Sequence, residues 1–159
     1  MTYIILETDE GLTGVGEARV LGKTHTVTEY LKDAQRHFVG HSPFDVEALF
    51  RRMTLLDFGK AGEVVHTGIA LVELACWDII GKACGQPVYN LLGGTCRNKI
   101  RVYANGWGAW YHTENRTEEI ARRAAALVAE GFTALKFDPF HGPWRTIINR
   151  REEQQAVDS

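Results

Sequence analysis

Residues 70–94 read ALVELACWDIIGKACGQPVYNLLGG, and this stretch decides how the rest of the chain is understood. Traced back to Glu63, it carries Val64, Ile69, Val72, Trp77 and Ile80 on nearly every side of a helical wheel. A helix that is apolar all round belongs between other elements. The pattern predicts a helix from Glu63 to Cys84. Gly85 ends it as a left-handed residue, and Pro87 cannot continue it. A short helical turn from Val88 to Leu92 is stopped by Gly93-Gly94. Two acids interrupt the apolar run. Glu73 and Asp78 are five positions apart and point in different directions, so they do not converge on one substrate. They are either catalytic carboxylates or structural acids paired with bases such as Lys82 and Arg97. The structural reading is preferred, because buried charge is tolerated only when paired.

Upstream, Tyr3–Thr8 is short, apolar and rich in β-formers, Asp9-Glu10-Gly11 is a turn signal, and Leu12–Ala18 reads as a second strand. A chain that opens so abruptly inside a strand pair is expected to lack an earlier strand. Two helices follow. Val27, Leu31, Ala34 and Phe38 are spaced for a helix over 24–38, and Val46, Leu49, Phe50 and Met53 for one over 45–56.

Downstream of Cys96 the order of elements changes. Ile100–Asn105 reads as a strand. Thr117–Glu130 reads as an amphipathic helix with Thr117 as N-cap and Gly131 closing it. Thr133–Phe137 reads as another strand, and Pro143–Val157 as the start of another helix. This β-α-β-α order with short loops is the rhythm of a parallel sheet or barrel. The first 96 residues instead follow an α+β pattern. The domains are therefore expected at 1–96 and 97–159.

The composition is globular, with 45% hydrophobic and 24% charged residues. A net charge of −2 from 18 basic and 20 acidic side chains gives no reason to expect nucleic acid or an anionic membrane as partner. No run is expected to approach the length of a membrane span, and the N-terminus lacks the basic and apolar regions of a signal peptide. Cys76, Cys84 and Cys96 are odd in number and loosely spaced. On one helix Cys76 and Cys84 would lie about 12 Å apart, too far to bridge. Three reduced thiols fit the cytoplasm.

Familiar motifs fail. Gly14-Val15-Gly16 follows a strand, but Arg19 stands where a dinucleotide fingerprint needs its third glycine. Gly59-Lys60 lacks the rest of a phosphate-binding loop. His37 and His41 have Gly40 between them and no neighbouring glutamate of the kind a zinc helix uses.

What the sequence does resemble, in order and over essentially its whole length, is the enolase superfamily in its mandelate racemase and muconate lactonizing branch. Residues 70–94 resemble its signature, with Leu71 and Cys76 as modest departures. Residues 7–18 resemble its capping domain. Arg101-Val102-Tyr103-Ala104-Asn105-Gly106 resembles its first barrel strand, and Gly131–Asp138 its second. The resemblance implies an α+β capping domain, an antiparallel sheet plus helices, followed by the first two β/α units of an incomplete TIM-like barrel. It also implies removal of a proton α to a carboxylate, with the enediolate held on Mg²⁺. A weakly acidic proton needs a fixed positive charge near the developing oxyanion, and a hard cation takes oxygen ligands. The family's metal ligands come from the third, fourth and fifth barrel strands. At about 31 residues per β/α unit, the third strand would fall beyond Ser159. No metal ligand is therefore expected here, and Mg²⁺ is expected in the complete parent enzyme only.

By strand alternation Lys136 and Asp138 share one face, directed into the barrel, and Leu135 and Phe137 the other. These are the candidate catalytic residues. The racemases carry two lysines at the matching positions, and Asp138 followed by Pro139 departs from that. The departure favours acid-sugar dehydratases of the galactonate dehydratase kind, in which the base is a histidine on a later strand. Lys136 then binds or neutralises the substrate carboxylate, its plainer alternative being an ion pair with Asp138. Two capping loops resemble those that close over the substrate, one over 17–25 with Arg19 and Lys23, the other over 56–62 with Phe58 and Lys60. Asn105, Trp107 and Trp110 follow the first barrel strand. The expected whole protein is a sugar-acid hydro-lyase and a homo-oligomer, with this portion inactive alone. The alternatives are a racemase or cycloisomerase parent, or a non-catalytic capping module.

Overall fold

A computed structural model describes residues 1–55, 58–59, 61–107, 116–137, 150–151 and 154. The chain divides into two compact units, Met1–Cys96 and Arg97–Ser159.

The first unit opens with an antiparallel pair, β1 (Thr2–Glu7) and β2 (Thr13–Ala18), in a register that sets Ile5 opposite Val15. The turn between them closes through Thr8, whose backbone and hydroxyl both bond Leu12, and through Gly11 at φ 83°. Three helices follow: α1 (Thr24–Ala34), α2 (Val46–Leu55) and α3 (Glu63–Cys84). A last short helix, α4 (Val88–Leu91), comes next. α1 stops four residues short of the predicted Phe38. Gln35–His37 tighten into a 3₁₀ turn, with Phe38 N–H bonding the carbonyl of Gln35, before Gly40 turns the chain at φ 78°.

The central helix is found where its sequence predicts. Its end is a Schellman arrangement: Gly85 at φ 60° donates to the carbonyl of Lys82, and Gln86 N–H reaches the carbonyl of Gly81. Val27, Leu31 and Ala34 of α1 and Leu49 and Met53 of α2 pack with Ile69, Leu71, Val72 and Cys76 of α3 in one core, to which Val20 is added. The sheet lies directly on α3. A Cβ at Gly14 would overlap the carbonyl oxygen of Ala75, and one at Gly16 that of Leu71. Two steps along the strand match four steps back along the helix, so β2 runs antiparallel to α3 at contact distance. These two glycines, which fail as a nucleotide motif, are packing residues.

Two expectations for α3 need correction. It is not covered all round: Ala70, Leu74 and Trp77 form a stripe at helical spacing that stays partly open, with Leu74 49% exposed. β2, α1 and α2 occupy the other faces. By length and composition α3 also passes for a membrane span, at 22 residues and mean hydropathy 1.5, contrary to the expectation that no run comes near. Half of that window is buried in the packed unit, which is how the central helix of a folded core behaves.

The second unit contains α5 (Arg116–Ala129). It starts one residue before Thr117, so that threonine sits inside the first turn and not at the cap. The two predicted strands meet as a single parallel bridge, Ala104 to Leu135, made by Ala104 N–H to the Ala134 carbonyl and Lys136 N–H to the Ala104 carbonyl. Of the helix predicted over 143–157, Arg150, Arg151 and Gln154 are described, and all three are helical.

Candidate functional site

Within the first unit, Val20 is buried and anchors the loop that leaves β2, while Arg19 and Lys23 on either side are exposed. A turn from Val20 to Lys23, with Gly22 at φ 72°, carries the chain into α1. Lys23 Nζ donates to Glu63 Oε2 at 2.6 Å. Glu63 opens α3 immediately after the second candidate loop, so one ion pair ties the two loops together at their bases. Phe58 of the second loop is fully exposed. Lys60 lies outside the described residues.

Within the second unit, the Ala104–Leu135 bridge sets Asn105 and Trp107 beside Lys136 and Phe137 at the C-terminal end of a parallel pair. This is the end from which barrel enzymes draw their chemistry. Asn105 and Lys136 are exposed, and Trp107 is half-buried. Trp107 and Phe137 stack, with ring centroids 5.8 Å apart. The Trp107 indole N–H is buried and meets no acceptor among the described residues. Behind it, Arg123 Nη1 reaches the Trp107 carbonyl at 3.5 Å, and Glu119 holds both Arg122 and Arg123. Those two guanidinium groups bring the Glu119 carboxyl down to about 2. Phe137 thus meets Trp107, a loop aromatic that alternation alone did not pick out. Asp138 and Trp110 lie outside the described residues.

Of the two acids inside the apolar run of α3, Asp78 plays a structural part. Asp78 Oδ2 accepts from Lys82 Nζ at 2.8 Å and from the backbone N–H of Val15 at 2.9 Å, and Lys82 Nζ also donates to the Thr13 carbonyl at 2.7 Å. The Lys82 hydrogen bond, joined by that from Val15, holds the Asp78 carboxyl below its ordinary value against a smaller opposing effect of burial. Glu73 is half-buried. Burial, with the charge of Glu73 behind it, pushes the Cys76 thiol up to about 11, which makes it an inert packing group. Among the described residues no group of three or more His, Cys, Asp or Glu is placed to hold a metal ion.

An α+β unit whose two-stranded antiparallel sheet lies on a long central helix defines the class: a capping domain, followed in sequence by a segment with one parallel bridge, Ala104 to Leu135. Residues 1–93 match the family described as mandelate racemase/muconate lactonizing enzyme, N-terminal domain, and the chain belongs to that family, in the enolase superfamily. It is similar to D-gluconate/D-galactonate dehydratase of Picrophilus torridus, at 35% identity over 91% of this chain and 36% of the relative. It is also similar to D-galactonate dehydratase of Xanthomonas campestris pv. campestris strain B100, at 32% identity over 99% of this chain and 37% of the relative. Among solved structures, mandelate racemase/muconate lactonizing enzyme from Jannaschia sp. CCS1 superposes with a TM-score of 0.79 at 34% identity, covering 98% of this chain and 42% of that one. The chain thus spans a little over a third of the length of the two curated relatives.

Proposed function

We propose that this chain is the N-terminal portion of an acid-sugar dehydratase. In that reading the first unit is the cap and the second supplies the first two β/α units of the barrel. The reaction removes the proton α to the substrate carboxylate and expels the β-hydroxyl as water, and the resulting enol becomes a 2-keto-3-deoxy acid. The observation that carries the reading is the exposed Lys136 beside Asn105 and Trp107 at the C-terminal end of a parallel pair, in a chain whose curated relatives are named as sugar-acid dehydratases.

In this reading the Lys136 ammonium faces the substrate carboxylate. As the α-proton leaves, negative charge builds on the carboxylate oxygens, and a fixed cation stabilises it more in the transition state than in the ground state. Asn105 supplies hydrogen bonds to hydroxyls, and Trp107 contributes its ring to the substrate-binding surface. Arg19, Lys23, Phe58 and Lys60 are the first unit's candidate substrate-binding residues. Asp138 stands where a second lysine would serve a racemase, so the general base is assigned to a histidine outside the chain. Among the described residues no group of three or more His, Cys, Asp or Glu is placed to hold Mg²⁺. Its dependence belongs to the whole enzyme, as do the homo-oligomeric state and the cytoplasmic setting that the unpaired cysteines favour.

A hybrid tests the reading directly. Residues 1–159 would replace the matching segment of the Xanthomonas campestris relative. The folded hybrid is expected to convert D-galactonate or D-gluconate to a keto acid, and Lys136→Met to lower kcat/KM by about 100-fold or more. A folded hybrid indifferent to Lys136→Met would remove Lys136 from the site.

A further inference from the structure

Just past the Ala104–Leu135 bridge the chain turns sharply. Gly106, at φ 76°, takes a left-handed conformation that residues with a side chain rarely adopt, and Trp107 follows it. Trp107 is then held at two points. Its ring stacks on Phe137, one residue past Lys136, with centroids 5.8 Å apart. Its carbonyl accepts from Arg123 Nη1, on α5, at 3.5 Å. That second hold is long for a hydrogen bond, so it depends on where the guanidinium is kept. Glu119, one helical turn back along α5, keeps it: its Oε1 accepts from Arg123 Nε at 2.7 Å. With one nitrogen of the planar fork on Glu119, another is turned to the Trp107 carbonyl. The side chains of Glu119 and Arg123 are 27% and 34% exposed, which shields the pair from solvent more than an open surface contact. Arg122 shares the same carboxylate but is 69% exposed. Acid and arginine at spacings of three and four commonly steady a helix. Arg123 differs in carrying the contact beyond the helix.

We propose that Glu119 is a positioning residue for the candidate site: by holding the Arg123 guanidinium it fixes the Trp107 carbonyl, and with it the segment that sets Asn105 and Trp107 beside Lys136. Glu119 acts through Arg123 and touches no substrate. Its carboxyl, brought down to about 2 by hydrogen bonds from Arg122 and Arg123, stays ionised throughout the neutral range. Substrate contacts at Asn105 and Trp107 then form on a backbone already in place, which lowers the ordering cost of binding. The hold on Trp107 stands on geometry alone, while its use in binding rests on the dehydratase reading.

Two measurements test the proposal. In the 159-residue chain, nuclear Overhauser contacts between the Trp107 and Phe137 rings report where the segment lies. In Glu119→Gln and in Arg123→Gln they are expected to weaken by about half or more, the scale of coupling within one hydrogen-bond network. Arg122→Gln, which also takes an ion pair from the Glu119 carboxylate, should leave them unchanged. Arg123→Gln keeps the test valid if Glu119→Gln does not fold. In the hybrid enzyme, each of the two variants is expected to raise KM for the sugar acid about fivefold with kcat within about twofold, and the double variant to do no more than either alone. A hybrid indifferent to Lys136→Met sinks the dehydratase reading, while weakened ring contacts in the 159-residue chain still support the hold on Trp107. Unchanged ring contacts, equal weakening in Arg122→Gln, or an unmoved KM in a hybrid that does respond to Lys136→Met overturns the proposal.

Discussion

At the scale of single residues, Asp78 shows how an acid in an apolar helix is put to structural use. It fastens Val15 of β2 and is held in turn by Lys82 one helical turn away. The residue types predicted this pairing, since Asp78 and Lys82 are four apart on one helix face. The second partner was not legible, because a backbone N–H has no sequence signature. The folded carboxyl titrates below its ordinary value of 3.8. A depressed carboxylate contributes stability that is present above the unfolded value and is lost as pH falls through the folded one. Asp78→Asn keeps an acceptor for Val15 but removes the charge. It is expected to cost about 0.5–1 kcal/mol at neutral pH, the size of a part-exposed pair. The gap from wild type should close below pH 3.8. Urea unfolding of both chains across that range measures it, and a gap that persists in acid would mean the charge is idle.

Among the elements, the contact of β2 with α3 organises the first unit. The long helix was legible from apolar periodicity, Gly85 and Pro87, and the hairpin from its turn residues. The reason for Gly14 and Gly16 was not. Glycines two apart on one face of a strand say that something comes close, and only the fold shows that it is a helix backbone. Gly16→Ala puts a methyl group against the Leu71 carbonyl, and neither backbone can yield without parting sheet from helix. The expected loss is about 2–3 kcal/mol, read from the denaturation midpoint, while Gly62→Ala, which opens into empty space, should fall well short of that. Elsewhere the limits of periodicity are plain. It carried α1 past Ala34 because Phe38 continues the apolar spacing, and it extended two strands where one bridge forms at Ala104.

For the molecule as a whole, kinship was legible from residues 70–94 and from the order of the segments around them, and the family match over residues 1–93 agrees. The candidate site was legible only in part. Lys136, Asn105 and Trp107 come together through the Ala104–Leu135 bridge, and Lys23 meets the second loop through Glu63. The buried Trp107 indole N–H and its stacking on Phe137 depend on a long-range approach that no local pattern encodes. The central proposal is that Lys136 faces the substrate of an acid-sugar dehydratase whose general base and metal ligands are not among residues 1–159, so that these residues are inactive alone. Keto-acid formation by the isolated 159-residue chain, with D-galactonate or D-gluconate and Mg²⁺, tests that most directly. The account predicts none above background, and turnover that copurifies with the chain and disappears in Lys136→Met would contradict it.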